Sequence, residues 1–386
     1  MTRLPLVLLL LLPALVRADD ASDAVQIFAL GEQQYGKYFS PAGASSQILQ
    51  GYIVRYYKDT NTYLGVKSGV VYVYGQQFGV GIVAVGSVAS FIGTANKVTD
   101  LTDLILSRRS ANCLDYAGSY SSTAKDYSRN LNFTGSLSIT VSNGVCTFTS
   151  NNIPNHTMGQ GGNFATPVSA QSNVYKVTTA PVFAAQNTAL SLTWNSAVLL
   201  NGVRVDMLAA ACYNVGDEKI GCNNDSQPWR FDPMYAKNGF GTDNHNAHTQ
   251  PDGSYHYHGN PNALFDFSGT VISPVVGFAA DGFPLYGPYI KDSTTGAIRK
   301  VKSSYQLKSG SRGTTSSTNP GGTYDGTYRD DWQYVAGAGD LDVCNGMTVN
   351  GIYAYYITDE YPYMTNCFRG TPDSTFRKGP AGNAPP

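Results

Sequence analysis

Charged side chains make up only 14% of the 386 residues. No basic patch marks a nucleic-acid binder, and no polybasic or lipidation signal marks a membrane anchor. One apolar run stands out, residues 4–16, and it is too short to span a bilayer; no second run follows, so no membrane span is expected. Recognised catalytic signatures are missing: there is no HExxH, no GxSxG and no pair of carboxylates at telling spacing. None of the six cysteines sits in a CxxC, which argues against thiolate metal ligands. The glycine-rich stretch 75–86 has no Walker lysine and no strand-to-helix context, so it reads as hairpin glycines and not as a nucleotide loop.

Several positive features fill in the class. A basic start at Arg3, the apolar run and a Val-x-Ala pattern ending at Ala18 predict a secretory signal peptide over residues 1–18. Removing Arg3 and Arg17 leaves 24 basic and 27 acidic residues, a net charge of −3. Tyrosine (27) and glycine (41) are abundant, and together with the serines and threonines they predict an all-β or β-dominated extracellular protein. The expected architecture is antiparallel sheets or a sandwich with long loops, plus a small N-terminal β module. Six cysteines in a secreted chain imply disulfides; they allow 15 connectivities, and proximity alone favours Cys113–Cys146, Cys212–Cys222 and Cys344–Cys367. Sequons at Asn132, Asn155 and Asn224 fit a glycoprotein.

In chain order, residues 19–110 read as the N-terminal module, with β-rich runs at 52–57, 70–74 and 81–85 suggesting an antiparallel meander. The run YYKDTNTYLGVKSGVVYVYG (56–75) resembles a small β module of secreted bacterial proteins over about twenty residues, with an accessory packing or binding role implied. Residues 95–110 carry apolar positions at helical spacing and a basic end, which predicts a short linking helix. A second, larger domain is expected over 111–378, with hairpin turns at Asn143-Gly144 and Asn201-Gly202, a long polar loop over 303–328, and a disordered tail at 379–386.

Residues 243–261, DNHNAHTQPDGSYHYHGNP, hold four of the five histidines. Asp252-Gly253 is a turn dipeptide, and the alternation Tyr255-His256-Tyr257-His258 predicts a strand with both imidazoles on one face and both tyrosines on the other. The turn brings His248 back beside that strand. Three imidazoles then converge without any long-range assumption.

The segments NIPNHTMG (152–159), NGVRVDMLAAACYN (201–214), DNHNAHTQPDGSYHYHGNP (243–261), VVGFAADGFPLYGPYI (275–290), KSSYQLKSGSR (302–312), PGGTYDGTYRDDWQYV (320–335), GDLDVCNG (339–346) and YAYYITDEYPYMTNCFRGTPDSTF (353–376) resemble the YHYH-domain family. The resemblance spans about 149–377 and implies a secreted domain defined by its motif. His156, His248, His256, His258, Asp281, Asp340, Asp342 and Asn345 lie in its segments, whereas His245 looks like a local variation. Between Cys344 and Tyr353 the connection NGMTVNGI is shorter than the family's usual one.

The metal reading takes His248, His256 and His258 as ligands, with His156 or Asp281 as the fourth. Nitrogen ligands with an open position suit copper or zinc and not calcium or magnesium, and nearby tyrosines in an oxidising compartment favour copper slightly. The competing reading is that the imidazoles hydrogen-bond within a tyrosine-rich core. Two further alternatives stand: a metal-dependent hydrolase or copper oxidase, with Asp281 as a weak candidate for general base, and a structural protein of the extracellular matrix or surface without metal. Asp281, Asp340 and Asp342 stand in contexts that usually build Asx turns.

Overall fold

The computed structural model describes residues 110–378 apart from Phe267 and Asn350, and before them a set of short strands together with Ala24 and Phe28. The expected signal segment (1–18) and tail (379–386) lie outside the described residues. Two compact units are present. The first contains a six-stranded sheet in which Tyr52–Tyr57, Thr62–Lys67, Val70–Gly75 and Val83–Ser87 follow one another as an antiparallel meander. Thr62–Lys67 is a strand beyond the three expected runs, and its alternating Leu64 and Val66 are fully buried with Val71. In place of the helix expected over 95–110, Thr99–Asp100 is a short strand; the residues around it up to 109 lie outside the described ones. Threonine and aspartate are weak helix formers, and pairing with a neighbouring strand satisfies their backbone instead.

The second unit is built on two sheets. The first consists of β1 (Thr99–Asp100), β2 (Gly118–Asp126), β3 (Leu131–Ser142), β4 (Val145–Ser150) and β5 (Asn173–Thr178), in the order β5-β4-β3-β2-β1. Alternate residues face the core: Leu137 and Ile139 on β3, Cys146 and Phe148 on β4, Tyr175 and Val177 on β5. The β3–β4 hairpin turns on Asn143 (φ 50°) and Gly144 (φ 74°), the left-handed pair that a two-residue hairpin needs.

The larger sheet has eight strands: β6 (Ala197–Leu199), β7 (Arg204–Val205), β8 (Ala247–Thr249), β9 (Tyr255–Tyr257), β10 (Val275–Ala279), β11 (Pro284–Tyr286), β12 (Gly346–Val349) and β13 (Ile352–Tyr356), in the order β8-β9-β7-β6-β10-β11-β13-β12. Every residue of β6, β7, β9 and β10 is buried. Most neighbours are antiparallel, but β7 runs parallel to β9 and β11 parallel to β13. Parallel partners need long crossovers, and the chain between Val205 and Tyr255 and between Tyr286 and Ile352 supplies them. The short connection after Cys344 is the β12–β13 hairpin, turning on Gly351 (φ 80°). The polar stretch 303–328 contributes three small strands: Tyr305–Leu307, which pairs with Trp332–Tyr334, and Ser311–Gly313 and Gly322–Thr323, which pair with each other.

Among residues 110–378 the only helical elements are 3-10 turns of three or four residues, so the protein is β-dominated. The three disulfides are Cys113–Cys146, Cys212–Cys222 and Cys344–Cys367, the neighbour pairing that proximity favoured. Phe148 of β4 meets Phe278 of β10 with ring centroids 6.0 Å apart, joining the two sheets through fully buried rings. Phe148→Ala is expected to lower stability by about 3–5 kcal/mol. Urea denaturation checks this, and a loss below about 1 kcal/mol would show that the two sheets do not depend on this contact.

Candidate metal centre

The site begins with a hairpin. The turn at Gln250–Gly253, closed by the Gly253 amide donating to the Gln250 carbonyl and by Gly253 at φ 78°, folds β8 back on β9. In the resulting register His248 stands directly opposite His256. His258 follows two residues on, from the same side of the chain. The three Nε2 atoms converge: His256 to His258 is 2.9 Å, and His258 to His248 is 3.0 Å. Of the cysteines, histidines and carboxylates among the described residues, these three form the one group whose donor atoms all lie within 4.8 Å of one another.

The outer ring nitrogens set the tautomers. His248 Nδ1 donates to the Phe240 carbonyl at 2.6 Å, and His256 Nδ1 faces the Ser254 carbonyl at 3.4 Å. His258 Nδ1 is buried and has no hydrogen-bond partner in the protein. Protons on Nδ1 of His248 and His256 leave their Nε2 lone pairs facing His258 Nε2, which carries at most one proton for the two. At least one of the 2.9 and 3.0 Å contacts is then acceptor against acceptor, which repels. A zinc-sized cation with N ligands at about 2.0–2.1 Å holds such atoms about 3.3 Å apart in a tetrahedral arrangement, so a small opening of the rings accommodates it.

The surroundings keep the rings neutral. Burial first, then the neighbouring imidazoles, hold His256 and His258 well below the ordinary histidine range, with Lys378 adding to the effect. Burial lowers His248 as well, partly offset by the Phe240 carbonyl, Asp206 and Asp243. His256 and His258 are buried, whereas His248 is half-buried and forms the more open side.

Beside β9, the parallel register sets Arg204 opposite His256 and carries Asp206 alongside His258. Arg204 donates to Gln250 Oε1 at 2.6 Å and to Ser254 Oγ at 2.5 Å. Gln250 Nε2 donates to Asp206 Oδ2 at 3.0 Å, and Lys378 pairs with the same oxygen. Reading the sequence alone passed over Arg204, Asp206, Gln250 and Lys378; the alternation in Val203-Arg204-Val205-Asp206 was the available signal for the first two.

His156 lies on the other face of the strand. Its Nδ1 donates to the Thr157 carbonyl at 3.0 Å, so Nε2 accepts from the Tyr257 hydroxyl at 2.5 Å. Asn201 donates to the same hydroxyl at 2.9 Å. His245 stacks on His156 with centroids 3.8 Å apart. The lone pair that would bind a metal is therefore engaged, and His156 is not gathered with the other three. Tyr255 donates to Asp243, which also receives the Gly159 amide, and burial pushes the Asp243 carboxyl up. Neither tyrosine of the motif faces the imidazoles.

Asp281 is also elsewhere. It follows β10, three strand steps from β9, or about 14 Å at the usual spacing. Its Oδ2 accepts from the Tyr355 hydroxyl at 2.6 Å and from the Gly370 amide at 2.9 Å, and burial raises its pKa. Asp340 makes a two-pronged pair with Arg299 at 2.8 Å, and Asp342 receives the Cys344 and Gly346 amides. Asn345 ties three segments together through the carbonyls of Tyr356 and Met364.

A β-dominated, disulfide-linked domain whose central motif presents three converging imidazoles is thus the class that the fold and the site define. The family model described as YHYH protein matches residues 174–370, just over half of the chain, and the chain belongs to that family. The three converging histidines fall inside the matched residues and His156 outside them. No curated protein and no solved structure matches the chain.

Burial and then His245 lower His156 to a pKa of about 3, below its reference value of 6.5. The unfolded chain takes up this proton as pH falls through about 6.5 and the folded one only near 3, so stability falls across that window. With the ring partly open to solvent, the loss is on the order of 2 kcal/mol. Denaturation of the wild type and of His156→Gln at pH 7 and pH 4.5 should show a smaller acid loss in the variant; equal losses would remove His156 as a contributor.

Proposed function

We propose that the domain binds a transition-metal ion, zinc or copper, through Nε2 of His248, His256 and His258, in a secreted protein. The observation that carries this reading is the convergence of three Nε2 atoms, with 2.9 and 3.0 Å contacts, while Nδ1 of His248 and of His256 faces a backbone carbonyl. A polar core built only for hydrogen bonding would pair a donor with each acceptor. Here the Nε2 atoms of His248 and His256 have between them at most the one proton of His258. All six cysteines are in disulfides, which fits an oxidising compartment and leaves none as a thiolate ligand. Asn132 and Asn224 are exposed and suited to glycosylation. Tyr255 and Tyr257 face away and are engaged with Asp243, His156 and Asn201, so neither favours copper over zinc.

A second reading, a metal-dependent enzyme, draws support from the half-buried His248, through which the imidazole cluster is not wholly closed to solvent. In that reading the ion would act as Lewis acid or lower the pKa of a bound water. Fourth-ligand roles for His156 and Asp281 find no support in their contacts.

The test is elemental analysis and titration calorimetry of the purified mature protein with zinc and with copper. About one ion per chain is expected in the wild type. His256→Ala and His258→Ala should each lose it, with affinity at least about 100-fold weaker, while His245→Ala retains it. A wild type that binds neither metal, or a His256→Ala variant that binds as tightly, would rule the reading out.

A further inference from the structure

The parallel pairing of β7 with β9 places a carboxylate beside the histidines without making it part of their group. Asp206 is 2% exposed and continues β7 next to His258. Its Oδ2 is fully used by Gln250 and Lys378. Its Oδ1 is buried and accepts from no group in the protein. A buried carboxylate oxygen left without a hydrogen-bond donor is destabilising, so a donor such as a water is expected there. The Asp206 amide donates to the Tyr257 carbonyl at 3.0 Å, which continues the β7–β9 register and sets Asp206 alongside His258, and its carboxylate acts on His248. It is not among the residues whose donor atoms gather within 4.8 Å of one another, so it is not gathered as a direct ligand with the three histidines.

We propose that Asp206 is the positioning carboxylate of this site, its Oδ1 accepting a hydrogen bond from the water at the fourth position of the metal. The proposal rests on the three-histidine reading. It accounts for an otherwise unexplained orphan oxygen and for the Lys378 and Gln250 contacts, which hold the other oxygen and so fix the direction of the carboxylate. The same geometry gives the site a fixed negative charge that disfavours anions at the open position.

Cobalt(II) is the probe, added to the purified full chain and followed by visible absorption, with azide titrated in as a ligand that displaces the water. Asp206→Asn is expected to keep a stoichiometry of one, to bind cobalt about tenfold more weakly, and to bind azide several-fold more tightly than the wild type. A residue that only braced the fold would leave azide affinity unmoved. Unchanged cobalt and azide affinities in Asp206→Asn overturn the role of Asp206 and leave the histidine site standing; failure of the wild type to bind cobalt at all overturns both. If Asp206→Asn does not fold, Asp206→Ser, which also removes the carboxylate, is read in the same way, and unchanged affinities there overturn the assignment.

Discussion

Along β9 successive side chains leave the backbone on opposite sides, and because the strand is buried on both faces each side has to be stabilised separately. The tyrosine side is closed by hydrogen bonds: Tyr255 to Asp243, Tyr257 to His156 and Asn201. The backbone between them is held by Asn152, whose amide donates to the Tyr255 carbonyl at 2.6 Å. With that face fixed, the register of the strand is fixed too, and a slip by one residue would drive imidazoles into the place of phenols. The converging histidines depend on this anchoring more than on any contact of their own.

The opposite face is electrostatically unusual because it concentrates neutral bases in a dry place. Arg204 and Lys378 are both committed, to Gln250 and Ser254 in one case and to Asp206 in the other, so no free cation is delivered to the imidazoles from these side chains. Their charges still act on the rings, opposing protonation of His256. The result is a cluster with its basic atoms turned inward and little means of satisfying them by proton uptake.

Much of this was legible in the residues. Period-two alternation around His256 and the Asp252-Gly253 turn are local signals, and they sufficed to bring His248 opposite His256. Asp281, read as a buried acid in need of a partner, has one in Tyr355. What escaped reading depends on contacts between distant segments. Asp206 meets the motif through a parallel pairing separated by about fifty residues, and nothing in the local pattern encodes which strand will lie alongside. His156 shows the same blindness in reverse: a loop histidine was assigned to the imidazole face, and a single hydroxyl, that of Tyr257, holds it on the other. Thr62–Lys67 was hidden for a different reason, its flanking turn residues standing so close that the segment between them read as connection.

The two halves of the histidine face differ in how far apart their parts lie along the chain. The β8–β9 hairpin closes over a handful of residues, an event of microseconds, whereas the β7 wall arrives only after a long crossover has been ordered. Loop-closure entropy thus favours forming the hairpin, with His248 opposite His256, ahead of its pairing with β7. An ion captured at that stage would act as a clasp on the nascent chain, so that the availability of metal during folding, and not only afterwards, would bear on how much of the protein reaches its final form.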